Sequence, residues 1–171
     1  MNKLIGIILM LLASVIFGFR ISKNIEFKQN VSGYLKRAAD ANTIALANQE
    51  LTKVIDYLEA NNITDGYTSI FYETPNEDIG FWYQNLKASQ NELANLNSES
   101  ALEKTNVLIK LRETLVDSGQ KKRVTIPQGL AVYPNNTMWA LLNFLATIMG
   151  FLGIIIFIVS FNSNQSQNQN S

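Results

Sequence analysis

Two stretches of this chain carry no charge at all. Residues 4–19 read LIGIILMLLASVIFGF and residues 138–161 read MWALLNFLATIMGFLGIIIFIVSF. All fourteen acids lie between them, as does every lysine and arginine except Lys3. A formal net charge of zero over 171 residues therefore hides a sharp division, with two apolar ends around a polar middle. One domain's length of chain offers no companion apolar surface that could cover both runs in water. The second run exceeds the roughly 20 residues that cross a bilayer. Trp139 stands at its leading edge, where an indole suits the membrane interface.

The first run is shorter, near the lower limit of about 17 residues. Met1-Asn2-Lys3 supplies a short basic start, so a cleaved signal peptide competes with an uncleaved anchor. Signal peptides end in small residues, whereas this run ends Phe17-Gly18-Phe19-Arg20, and Ala13-Ser14 comes too early. The anchor is favoured. The expected fold is an all-α membrane protein. Its transmembrane helices at 4–19 and 138–161 flank an extramembrane domain over 20–137, either an antiparallel helical hairpin or a three-helix unit. Ser14 and Gly18 in the first span, and Gly150 and Gly153 in the second, are small residues that could pack the spans together or pair subunits.

The chain has no cysteine and no histidine. Disulfides, thiolate nucleophiles and sulfur metal sites are excluded, and the usual general base is missing. No Gly-rich phosphate loop follows a strand. The expectation is no enzyme, no cofactor and no metal. One calcium register was tested, with Gly66 at the sixth position of an EF-hand loop; it puts Ile63 third and Tyr72 twelfth, where oxygen ligands belong.

The middle reads as helical. Ile44, Ala47, Leu51, Val54 and Leu58 recur at spacings of three and four within a helix expected over 31–61. Asn61-Asn62 and Asp65-Gly66 read as a stop and a turn. Thr74, Pro75 and Glu77 form a capping signature for a helix over 75–97, and Ser100 to Glu103 another for 101–117. The last two are open to being one kinked helix. Residues 120–137 break the pattern, with room for a small hairpin pairing Val124–Ile126 with Leu130–Tyr133. The tail 162–171 is polar and low in complexity, hence expected to be disordered.

Phe81, Trp82 and Tyr83 stand in a row behind Glu77 and Asp78. At 100° per residue from Ile79, Trp82, Tyr83, Leu86, Leu93 and Leu96 share an arc of about 140°, so Trp82 and Tyr83 belong to the core. Phe81 lies about 200° from Ile79. Either Tyr67, Phe71 and Tyr72 fold back over it, or these aromatics form an exposed patch that binds a partner. From Val54 to Leu86 there are six acids and no lysine or arginine. With the turn near 62–73 as the far tip of a hairpin, the acids gather there. Arg20, Lys23, Lys121, Lys122 and Arg123 stay near the lipid, whose anionic headgroups attract them. The candidate partner-binding set is Tyr67, Phe71, Tyr72, Glu77, Asp78 and Phe81. An acidic aromatic tip suits a protein partner, or a second copy of the chain, and repels nucleic acid. The alternative is a module that stacks a sugar or other small molecule on these rings.

The stretches YLKRAADANT and DGYTSIFYETPNEDIGFWYQNLKASQNEL resemble an uncharacterised group of bacterial two-span membrane proteins. That resemblance covers most of the middle region. It implies a bacterial membrane, most simply the inner one, and no particular activity. Eight lysines and arginines flank the spans on the loop side against Lys3 alone on the other. The positive-inside rule thus favours a cytoplasmic loop over an extracytoplasmic one, although it weakens for loops beyond about 60 residues. With only three residues and a ten-residue tail expected on the other side, a stand-alone receptor is disfavoured.

Overall fold

The structure, a computed structural model, describes residues 2–70, 73–117, 123–127, 129–130 and 137–169. Its long elements are all helical: α1 (Asn2–Phe27), α2 (Gly33–Ala39), α3 (Ile44–Ala60), α4 (Ile79–Asn95), α5 (Ala101–Leu115) and α6 (Thr137–Gln169). No strand forms among the described residues, only two isolated antiparallel bridges. The chain divides into two compact units, one of Met1–Ser22 with Thr137–Ser171 and one of Lys23–Asn136.

The first unit is a pair of helices, both long and apolar enough to cross a membrane. They run antiparallel: Gly6 meets Gly153, Ala13 meets Gly150, and Phe19 stacks on Trp139 with ring centroids 5.5 Å apart. Their seam is built of small residues, with Gly6, Ala13, Ala146 and Gly153 buried. A Cβ on Gly6 would stand 2.8 Å from the Gly153 carbonyl oxygen, so the backbones touch where no side chain fits. The expected Gly150 and Gly153 lie in this seam. Ser14 and Gly18 do not: Ser14 is exposed with its hydroxyl on the Met10 carbonyl, and a Cβ on Gly18 would meet nothing within 4 Å. Gly6 and Ala13 take that role, because the register set by Gly153 turns the Ser14–Gly18 face outward. Around the seam, Leu4, Ile8, Leu11 and Val15 of α1 and Leu141, Phe144, Phe151 and Ile155 of α6 are exposed. α6 continues to Gln169 through the polar stretch expected to be disordered. Residues 162–169 contain no glycine or proline to stop it, and each added residue gains a backbone hydrogen bond.

The second unit begins in the last turn of α1, passes a π-helical turn over Lys28–Ser32 and continues as α2. The helix expected over 31–61 is broken at 40–43. Thr43 adopts an extended conformation and accepts from the Leu46 N–H, which starts α3 afresh. Arg112 of α5 donates from Nε to the Ala39 carbonyl and pairs with Asp40, satisfying the end of α2. α3 then folds back antiparallel, since Arg37 contacts Glu50 and Tyr57 donates to Glu26. The 40–43 turn is therefore the far end of the unit. The 61–70 segment that follows α3 therefore starts at the end where the chain enters, not at a distant tip.

α3 is the centre. It packs on α2 and α4 and touches α5, and α5 leans on α2. Leu51, Val54, Ile55 and Leu58 are fully buried against Val31, Leu35, Ile79 and Leu86. Glu50 is buried among them. Its Oε1 accepts from Arg37 Nη2 at 3.1 Å and Lys53 Nζ at 2.9 Å, while Oε2 has only a misaligned charge contact with Arg37 Nε. α3 ends with Asn62 at φ 55° and the Ile63 N–H bonded to the Leu58 carbonyl, a left-handed cap with Leu58 and Ile63 buried together.

The helix expected over 75–97 is shorter. Pro75–Glu77 is a 3₁₀ turn, and Asp78 caps α4 anew from an extended conformation. α4 and α5 are separate helices, since Leu96 leaves the helical region and Ser100 caps the second. α5 ends at Leu115 rather than 117, because Val116 turns extended and pairs with Val124. The expected hairpin partner Leu130–Tyr133 falls partly outside the described residues. Within them, Val124 joins Val116, and Leu130 closes a turn on the Pro127 carbonyl.

Candidate functional site: the Phe81 groove

The site grows from the start of α4. Gly66 at φ 87° turns the loop so that Tyr67 forms a bridge with Asp78; the Gly66 carbonyl accepts from Ile79 and the Thr68 N–H donates to Glu77. Buried Ile79 and Ile63 anchor this crossing. The first turn of α4 is thus fixed on both sides. Asp78 Oδ1 accepts from the Phe81 N–H at 2.9 Å, and Glu77 Oε2 accepts from the Thr74 N–H and hydroxyl. Both acids of the candidate set therefore cap local backbone and do not project freely.

Trp82 is buried, and its indole N–H donates to the Thr125 carbonyl at 2.9 Å. That bond ties the 123–127 segment to α4, and the Thr125 N–H in turn reaches the Leu115 carbonyl. Between them runs a groove of about 200 Å³. Pro75, Asn76, Asp78, Phe81 and Asn85 line one wall, and Thr114, Thr125, Ile126 and Pro127 line the other. Phe81 is 63% exposed at this groove, a large apolar ring left to solvent.

Tyr83 points to α3 instead. It is half-buried, and its hydroxyl donates to Glu59 Oε1 at 2.5 Å, where Lys87 also donates at 3.0 Å. The Tyr83 and Lys87 bonds hold the Glu59 carboxyl below its ordinary range. Burial, together with the carboxylate, pushes the Tyr83 phenol up to about 12.

The structure thus brings Tyr67, Glu77, Asp78 and Phe81 to one place. Phe71 and Tyr72 lie outside the described residues. Of the basic set, Arg20 is exposed on α1, Lys23 pairs with Glu26 at 2.9 Å, and Arg123 is exposed while its carbonyl accepts from Asp117. Lys121 and Lys122 lie outside the described residues. Among the described residues no three His, Cys, Asp or Glu side chains gather to hold a metal. Sequence reading missed Asn76, Asn85, Thr114, Thr125 and Pro127. Asn85 sits one helical turn from Phe81, so α4's own spacing signalled it, but nothing local places Thr114 or Thr125 beside them. No family model matches this chain, and comparison with curated proteins and with solved structures returned no match either.

Proposed function

We propose that this chain is a bacterial inner-membrane protein that crosses the bilayer twice and carries a non-enzymatic helical module. That module acts as an accessory or assembly subunit by docking a protein partner in the Phe81 groove. The membrane reading is supported by the first unit, where the buried residues among those described are all small and many large apolar ones are exposed on both helices. Water does not tolerate such a surface, and lipid does.

The partner reading is carried by one observation, the 63% exposed Phe81 at the rim of a groove whose walls mix prolines and Ile126 with amides, hydroxyls and the Asp78 carboxylate. Aromatic anchors beside satisfied polar groups are the mark of protein contact sites. A cavity of about 200 Å³ is smaller than the roughly 300–1,000 Å³ of small-molecule pockets. Trp82, the ring best suited to stacking a sugar, is buried and its N–H is taken. Both facts favour a protein over a small ligand.

The test is affinity purification of the full chain from cells, wild type against Phe81→Ala. The substitution removes a co-purifying partner while helix content by circular dichroism stays the same. A partner retained at wild-type yield would remove Phe81 from the site. The loop is placed on the cytoplasmic side; a single cysteine at exposed Asn76, labelled by an impermeant thiol reagent in intact cells, would overturn that placement.

A further inference from the structure

Among the described residues, Glu50 is the one acid buried in the helical unit, its side chain 2% exposed. Taking a carboxylate out of water is costly unless opposite charge and hydrogen bonds compensate it, and one cation balances its charge. Here two are present. Arg37 of α2 and Lys53 of α3 both donate to Oε1, at 3.1 and 2.9 Å. The acid is covered by its cations, whose side chains are 63% and 39% exposed. Solvent therefore meets a net positive charge at this place, with the carboxylate beneath it.

Both cations also lie over one ring. The Arg37 guanidinium carbon is 5.6 Å and the Lys53 ammonium 5.0 Å from the Tyr34 centroid. Sharing one acceptor oxygen keeps the two nitrogens within about 6 Å of each other, a distance at which like charges repel. Glu50 and Tyr34 hold them there. Neither cation has spent all its donors on Glu50. The ammonium has two N–H groups left, and the guanidinium has N–H groups beyond those aimed at the carboxylate. Among the described residues Glu50 is the only acid either cation bonds; Asp56, one turn beyond Lys53, is exposed and bonds neither. The Tyr34 hydroxyl, at the edge of the same ring, has no partner among the described residues.

We infer that Arg37, Lys53 and Tyr34 form a binding site for a phosphate group, with Glu50 beneath them as the residue that holds the two cations together. Three separate donor groups on one surface suit the three terminal oxygens of a phosphate, whereas a carboxylate offers two. The uncompensated positive charge gives the ligand its sign, and a guanidinium beside an ammonium strengthens each hydrogen bond to it. None of these residues lines the Phe81 groove, so the site is independent of the docking reading. Two sources carry such a group, a dissolved phosphate and a lipid headgroup, and the test separates them.

The full chain is placed in phosphatidylcholine nanodiscs, and amine acylation is followed residue by residue by mass spectrometry. The probes are inorganic phosphate in solution and, separately, phosphatidic acid in the disc. One of these probes should slow acylation of Lys53 about tenfold, as a charge-assisted hydrogen bond to its amine implies. Lys104 on α5, also partly exposed, should react at its original rate. Protection by inorganic phosphate identifies a dissolved ligand, and protection by phosphatidic acid alone identifies a headgroup. Arg37→Gln, which leaves Glu50 paired with Lys53, should remove the protection while helix content by circular dichroism stays the same. If that variant loses helix content, Tyr34→Phe replaces it; both ion pairs and the ring remain, and protection should weaken about fivefold. Unchanged Lys53 reactivity with both probes, or equal slowing of Lys53 and Lys104, overturns the inference. Protection that survives intact in a folded Arg37→Gln, or in Tyr34→Phe where that variant unfolds, overturns it as well.

Discussion

The Tyr83 hydroxyl donates to the Glu59 carboxylate across the α3–α4 contact, and Lys87 donates to the same oxygen. One acid on α3 thus holds two residues of α4 one helical turn apart. The two shifts have opposite signs and set two pH edges. Glu59 is lowered from 4.5, so its contribution is present above the unfolded value and is lost as pH falls through the folded one. Tyr83 is raised from 10.0 to about 12, so its contribution is full below 10.0 and is lost as pH rises through the folded value. Denaturant unfolding of the detergent-solubilised chain should weaken at both edges. Tyr83→Phe should flatten the alkaline edge and shrink the acid one. An alkaline edge of unchanged size in that variant would count against the bond.

Ala13 and Gly150 lie opposite each other in the antiparallel helix pair. A Cβ on Gly150 would stand 3.7 Å from the Ala13 Cβ, within the 3.5–4.5 Å range typical of a disulfide. Because the chain has no cysteine, Ala13→Cys with Gly150→Cys creates a unique pair. Mild oxidation should close it within one chain, read as a faster band on non-reducing gels. Adding Gly153→Leu should abolish closure, since a side chain there meets Gly6 and Met10 at 2.9 Å. Gly18→Leu, pointing into open space, should leave closure intact.

Neighbouring aromatics separate stability from contact. Trp82→Ala removes a buried ring and the bond to Thr125, and should destabilise the helical unit by about 3–5 kcal/mol. Phe81→Ala removes a ring that is mostly in solvent and should change stability by no more than about 0.5 kcal/mol. Equal losses for the two in thermal unfolding of the full chain would mean that Phe81 is covered.

Much of this molecule was legible in its residues because it depends on local chemistry. Uncharged runs mark the two long apolar helices, since a missing charge needs no partner to be seen. Spacings of three and four put Trp82, Leu86 and Leu93 on the buried face of α4, and rotation alone sets Phe81 opposite. Asn61-Asn62 stops α3 because a left-handed residue there satisfies the helix's last carbonyls. The break at 40–43 was equally local, written in the cluster of Asp40, Asn42 and Thr43, but the apolar period running past it hid it.

Tertiary structure decided what depends on which segments meet. Once the chain reverses at 40–43, α3 returns to the entry end, and the acidic loop comes with it. That single reversal moves the candidate site from the far end of its unit to the end where the chain enters that unit. Pairing decided the groove too: the Trp82–Thr125 and Thr125–Leu115 bonds and the Val116–Val124 bridge bring the end of α5 and the 123–127 segment beside α4. It also decided that Gly6 and Ala13, not Ser14 and Gly18, face α6. Periodicity gives a residue's angle on its own helix; only the contact between two helices says which angle faces inward.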